Sequence, residues 1–150
     1  MKLSKLSKIL GLTTAFAISS QATLLVQQNK ALAGTGTSIL YSGEYLFANQ
    51  YLISPDGEFE AIQQSDGNFV LYDNDNNTAL WASNILNTSV YYTVMQSDCN
   101  LVSYTYDGTA VWATNTNGLG SYCSLQVQDD GNLVIYTSNN VPVWATGTNR

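Results

Sequence analysis

One nine-residue pattern occurs three times at a fixed spacing, and it constrains this chain more than any other feature. Gln64-Ser65-Asp66-Gly67-Asn68-Phe69-Val70-Leu71-Tyr72 is followed thirty-two residues on by Gln96-Ser97-Asp98-Cys99-Asn100-Leu101-Val102-Ser103-Tyr104. Thirty-two more lead to Gln128-Asp129-Asp130-Gly131-Asn132-Leu133-Val134-Ile135-Tyr136. Gln, Asp, Asn, Val and Tyr keep the same five offsets in all three copies. Trp81, Trp112 and Trp144 follow each Tyr by eight or nine residues, each beside an Ala. Self-similarity at such a period marks a repeat architecture, in which one unit cannot bury its apolar face alone. Three units are therefore expected to pack around a common axis.

Each unit reads as β-structure. The run from Asn68 to Tyr72 alternates faces with period two, so Phe69, Leu101 and Leu133 point one way. Asn68, Val70 and Tyr72, with their counterparts, point the other. Asp66-Gly67 and Asp130-Gly131 are tight hairpin signals. A polar turn follows each Tyr, and then a short strand carries the Trp, as in Ala79-Leu80-Trp81-Ala82. No segment after residue 33 shows a helical 3.6 period. Residues 39–60 are expected to complete the first unit. The three Trp are expected to pack on the axis as core.

Charge divides the chain. Its 150 residues carry a formal net charge of −6 and no histidine. Lys2, Lys5, Lys8 and Lys30 lie in the first thirty residues, and the fifth basic residue is Arg150. Residues 1–33 read as a secretory signal peptide: a lysine-rich start, an apolar stretch from Ile9 to Ile18, and the small-x-small triplet Ala31-Leu32-Ala33. Ser19, Ser20, Gln21, Thr23, Gln27 and Gln28 interrupt the apolar run, which argues against a membrane span. Export would leave a domain of residues 34–150 with eleven acids, one arginine and no lysine, a net charge of −10. Such a domain is a poor partner for nucleic acid, which demands clustered Lys and Arg. The expected location is outside the cytoplasm, extracellular or periplasmic, where Cys99 and Cys123 would form one disulfide.

Core packing accounts for repeated Trp, Leu and Val, but not for repeated Gln, Asp and Asn, which are normally exposed. Turn chemistry covers Asp66 and Asn68 and leaves Gln64 and Tyr72 without a reason. A site for a polar ligand covers all of them. Gln and Asn each donate and accept hydrogen bonds, Asp accepts, and Tyr offers an O–H. With Val as an apolar patch, the set suits a neutral, hydroxyl-rich ring such as a sugar. A phosphate is disfavoured, because each site has an Asp and no Lys or Arg. Catalysis is disfavoured too: glycoside hydrolysis needs two carboxylates at one site, and only one repeats. Asp73-x-Asp75-x-Asn77 opens like a calcium loop, but Thr78 and Asn84 break that pattern at its sixth and twelfth positions. No metal or cofactor is expected.

Gln-x-Asp-x-Asn-x-Val-x-Tyr resembles the signature of the monocot bulb-type, mannose-specific lectins. The likeness extends to Ile39-Leu40-Tyr41-Ser42-Gly43-Glu44, similar to that family's opening strand, and to the segments that follow Trp112 and Trp144. It implies a β-prism II fold, three four-stranded antiparallel sheets around a pseudo-threefold axis. It also implies carbohydrate-binding roles. Asp66 with Asn68, Asp98 with Asn100, and Asp130 with Asn132 would bond the axial 2-hydroxyl of mannose. Gln64, Gln96 and Gln128 would reach the 3-hydroxyl, and Tyr72, Tyr104 and Tyr136 the 4-hydroxyl. Val70, Val102 and Val134 would pack on ring carbons. Partners would be mannose-containing glycans or glycoproteins. Dimers of the family exchange the C-terminal strand, here within residues 142–150. An alternative is a lectin-like bacteriocin or toxin that uses the prism for targeting.

Overall fold

A computed structural model describes residues 36–85 and 87–150. The expected signal peptide, residues 1–33, lies outside the described residues, as does the start of the expected mature domain. Among the described residues twelve strands follow in chain order: β1 Ile39–Tyr41, β2 Tyr45–Phe47, β3 Tyr51–Ile53, β4 Phe59–Gln63, β5 Phe69–Asp73 and β6 Thr78–Ala82 come first. β7 Val90–Met95, β8 Leu101–Thr105, β9 Ala110–Ala113, β10 Ser124–Val127, β11 Leu133–Tyr136 and β12 Pro142–Ala145 complete the set. Among the described residues no helix is long and apolar enough to cross a membrane.

The strands form three four-stranded antiparallel sheets, ordered β3-β4-β5-β6, β2-β7-β8-β9 and β1-β10-β11-β12. This is the β-prism II arrangement. Each sheet holds the three-strand meander of one repeat plus one strand from residues 39–53. That distribution corrects one expectation. Residues 39–60 do not all complete the first unit: β1 joins the third repeat, β2 the second and β3 the first. The reason is visible in three leucines spaced six apart. Leu40, Leu46 and Leu52 are each fully buried at the centre of a three-residue strand. Gly43 (φ 84°) and Asn49 (φ 66°) turn the chain between them. The Glu44 carboxylate accepts the amide of Tyr41, and the Gln50 carbonyl that of Phe47, so both corners close alike.

The inward faces of the sheets build one core, with Phe59, Phe69, Leu71, Leu101, Leu125, Leu133 and Ile135 buried within it. A bulge in each last strand shapes its edge. The register shifts between Leu71 and Tyr72, between Ser103 and Tyr104, and between Ile135 and Tyr136. The extra residue lets consecutive side chains, Leu80 with Trp81 and Val143 with Trp144, both pack on the core. The three indoles meet edge to face, Trp81 with Trp112 at 5.8 Å and with Trp144 at 5.5 Å. They are half-buried, so they seal the core rather than lie wholly inside it. β12 closes the third sheet against β11 of the same chain.

One part of the core is polar. Thr93 stands where the other sheets have Ala61 and Leu125, and Ser103 where they have Leu71 and Ile135. The Thr93 hydroxyl donates to Gln63 Oε1 at 2.6 Å and lies 2.7 Å from Ser103 Oγ. Gln63 Nε2 in turn donates to the Gly67 carbonyl at 3.1 Å. These buried groups satisfy one another, as the cost of an unpaired polar atom requires. They also tie the core to the first motif's turn.

Several acidic side chains hold hairpins. Asp73 accepts from the Asn76 side chain and the Asp75 and Asn76 amides, and pairs with Arg150, whose guanidinium lies 4.8 Å over the Phe59 ring. Donors hold three carboxyls below the usual aspartate range: foremost Asn76 at Asp73, Ser54 at Asp56 and Thr105 at Asp107. A depressed folded value means that the unfolded chain binds protons first as pH falls. The stabilisation is then complete above about pH 5, where the unfolded aspartates are ionised too, and is lost as pH drops through the folded values. Burial raises Glu60 and acts in the opposite direction. Thermal melts followed by circular dichroism should show the melting temperature falling from about pH 5 to pH 2. Asp73→Asn should flatten that slope, and a profile unchanged by it would remove Asp73 from the account.

Candidate functional site

The three motifs fold alike. The Gln amide donates to the Asn carbonyl at 2.8, 2.9 and 2.9 Å, closing a three-residue loop at each hairpin. The last loop residue is left-handed: Gly67 at φ 97°, Cys99 at 75° and Gly131 at 82°. The loop is thus one residue longer than the shortest hairpin that Asp-Gly signals. Gly67 could not be replaced without cost, since a Cβ there would lie 2.1 Å from the Thr88 carbonyl oxygen.

Within this frame each motif side chain has a fixed place. The Asp carboxylate accepts the Asn backbone amide at 3.0 Å in all three copies and is itself exposed. The Gln side chain donates to the Tyr hydroxyl at 2.9, 2.9 and 3.0 Å. That leaves the Gln Oε1 as an acceptor and the Tyr O–H as a donor. Val70, Val102 and Val134 are buried on the outward side, away from the core cluster. The fifteen residues therefore gather as three sets of five, one per sheet.

A sixth participant was not singled out. The Asn Oδ1 accepts from Ser83 at 2.9 Å, Thr114 at 3.2 Å and Thr146 at 3.0 Å. Each of these hydroxyls also accepts the backbone amide of Phe69, Leu101 or Leu133. With Oδ1 so held, the Asn Nδ2 is the end left to donate outward. The signal was present in the sequence: a hydroxyl residue stands two places after every Trp. Further hydroxyls brace the second and third loops. Thr116 donates to the Cys99 carbonyl and Thr148 to the Gly131 carbonyl, each at 2.6 Å. Ile85 takes that place in the first unit and cannot donate.

Around the second motif lies a cleft of about 600 Å³ lined by Gln96, Ser97, Asp98 and Tyr104, with Gly43, Tyr45, Tyr92 and Val94. Burial first, then Tyr45, Tyr104 and Tyr91, hold the Tyr92 hydroxyl above the usual tyrosine range. Asp129, the extra carboxylate beside the third motif, accepts the Asp56 amide at 3.1 Å and so ties two sheets together. Among the described residues no three His, Cys, Asp or Glu side chains gather to hold a metal ion.

A scan against models of protein families finds no match, and a search of curated proteins finds none. Solved structures do match. A monomeric monocot mannose-binding lectin from Gastrodia elata is 40% identical with a TM-score of 0.69, over 76% of this chain and 100% of its own. The snowdrop (Galanthus nivalis) mannose-specific agglutinin is 39% identical with a TM-score of 0.62, over 75% of this chain and 98% of its own. A Marasmius oreades lectin is 37% identical with a TM-score of 0.68, over 75% and 92%.

The chain belongs to the bulb-type lectin family. It is a carbohydrate-binding protein, not an enzyme. The lectin's disulfide joins Cys99, in the second motif's loop, to Cys123, just before β10, with Cα atoms 5.0 Å apart. It therefore links the sheets of the second and third repeats.

Proposed function

We propose that the lectin is exported and recognises terminal α-mannose through its three Gln-x-Asp-x-Asn-x-Val-x-Tyr sites. The observation that carries this reading is the matched donor and acceptor set on each sheet. An exposed Asp oxygen accepts, an Asn Nδ2 oriented by its anchored Oδ1 donates, and a Gln–Tyr pair offers one of each. A sugar hydroxyl both donates and accepts, so an Asp and Asn together satisfy it. The snowdrop agglutinin was solved with methyl α-D-mannoside, and a Polygonatum cyrtonema lectin, 36% identical, with a monomannoside. The lysine-rich leader and the disulfide support export.

Recognition is reversible and involves no bond-making. One site should hold a monosaccharide near millimolar, about −4 kcal/mol. Three sites on clustered mannose supply the useful avidity. Specificity rests on the axial 2-hydroxyl, because an equatorial one would leave the Asp and Asn unpaired. Calorimetry with methyl α-mannoside and methyl α-glucoside tests this. Heat with the mannoside only is expected; equal binding of both, or of neither, would refute the mannose reading.

A further inference from the structure

The three sites share their motif residues but not their surroundings. On the sheet of the second repeat, an aromatic series leads away from the motif. Tyr104 meets Tyr92 at 5.5 Å, Tyr92 meets Phe47 at 5.9 Å, Phe47 meets Tyr91 at 5.3 Å, and Tyr91 meets Tyr106 at 5.1 Å. The other sheets lack it. The residue paired with the motif Tyr is Tyr92 here, but Glu60 beside Tyr72 and Ser124 beside Tyr136. The place of Tyr106, two residues beyond the motif Tyr, is held by Asn74 and Ser138.

Cross-strand packing explains Tyr92 against Tyr104, since such pairs stabilise a sheet. It does not explain Tyr106, which stands at the β8–β9 hairpin and is 83% exposed. Together with the half-exposed Phe47, Tyr91 and Tyr92 it makes one contiguous aromatic patch, and it is contiguity that marks a surface for a ligand to cover. The cleft around the motif holds Gln96, Asp98 and Tyr104 and reaches the series at Tyr92; Phe47, Tyr91 and Tyr106 continue the aromatic surface beyond its rim. Its volume of about 600 Å³ falls in the range that takes a drug-sized ligand, more than one pyranose ring requires. Tyrosine suits a sugar's two characters, with a ring face for C–H groups and a hydroxyl for hydroxyls. No cation stands in the series, which argues for a neutral ligand.

We propose that the second site is an extended one, in which the wall from Tyr92 to Tyr106 receives a further ring of a neutral oligosaccharide whose terminal mannose occupies the motif. This rests on the mannose reading and gives the three sites different ranks. A mannobiose should bind the second site roughly tenfold more tightly than the first or third, the gain expected from covering part of one ring face. Methyl α-mannoside should not distinguish them in this way.

Titrations followed by NMR at the amides of Asn68, Asn100 and Asn132 read the three sites separately. The full lectin would be compared with Tyr106→Ser and with Tyr91→Ser/Tyr106→Ser. The exposed Tyr106 makes the single variant safe for folding if the double one fails. The expected result is a mannobiose preference at Asn100 that shrinks in Tyr106→Ser, with methyl α-mannoside affinity unchanged at all three sites. Mannobiose binding equally at all three, or a preference that survives loss of Tyr106, overturns the extended site while leaving the mannose function standing. If methyl α-mannoside binds nowhere, the mannose reading falls and the extension with it.

Discussion

Replacing Asp66, Asp98 and Asp130 together with Asn is expected to abolish mannoside binding and leave the fold intact. Each Asp has two tasks in the proposed function, one within the loop and one toward the sugar. One oxygen accepts the motif Asn amide at 3.0 Å and holds the loop. Asn in that place keeps a carbonyl for the loop bond and offers an NH₂ where the ligand needs an acceptor. A sugar hydroxyl that donated to a carboxylate then faces a donor. Losing a hydrogen bond to a charged group costs about 1.5–3 kcal/mol, or roughly ten- to a hundred-fold per site. From a millimolar start, that places binding beyond the reach of calorimetry. Because the Asp side chains are exposed and the loop bond survives, the melting temperature should move by no more than about 2 °C, in keeping with small surface effects. Retained binding in the triple variant would move the site off the motifs.

The same residues show how far the chain could be read before its structure. Phe69, Leu101 and Leu133 inward, with Val70, Val102 and Val134 outward, follow from period two alone, and the fold keeps them so. Regular spacing exposed the three sheets because each repeat is a self-contained meander. Strand β1 pairs with β10, across more than eighty residues of sequence, and no local pattern encodes that partner. Only the six-residue spacing of Leu40, Leu46 and Leu52 hinted that the segment visits three sheets in turn. The bulges were hidden because alternation assumes an unbroken register, yet they allow Leu80 and Trp81 to face the same way. Ser83, Thr114 and Thr146 were missed for a different reason. They fix the motif Asn side chain from the neighbouring strand, and strand pairing is a tertiary fact. The aromatic wall was invisible for the same reason: Phe47, Tyr91 and Tyr106 become neighbours only when β2, β7 and the β8–β9 hairpin meet.

Removing the disulfide should separate stability from recognition. Cys99 and Cys123 are both fully buried and 24 residues apart, and closing that loop contributes roughly 3 kcal/mol in the chain-entropy account. For a domain of this size, Cys99→Ala/Cys123→Ala should lower the melting temperature by roughly 10–15 °C. Cys99→Gly/Cys123→Ala should lose less. Position 99 has φ 75°, a left-handed conformation that the equivalent Gly67 and Gly131 adopt freely. An L side chain there costs about 1–2 kcal/mol, so glycine should recover several degrees. The second site should nevertheless survive. Its loop keeps three other ties: Thr116 Oγ1 to the Cys99 carbonyl at 2.6 Å, the Gly118 amide to the Asp98 carbonyl at 2.9 Å, and the Tyr122 amide to the Ser97 carbonyl at 3.1 Å. These hold Asp98 without the sulfur bridge. At 25 °C, mannoside affinity at the second site should therefore change by less than about threefold, which is under 1 kcal/mol. A selective loss of binding there, with the first and third sites unaffected, would show instead that the bridge positions Asp98. An unchanged melting temperature would show that the cross-link contributes nothing to the fold.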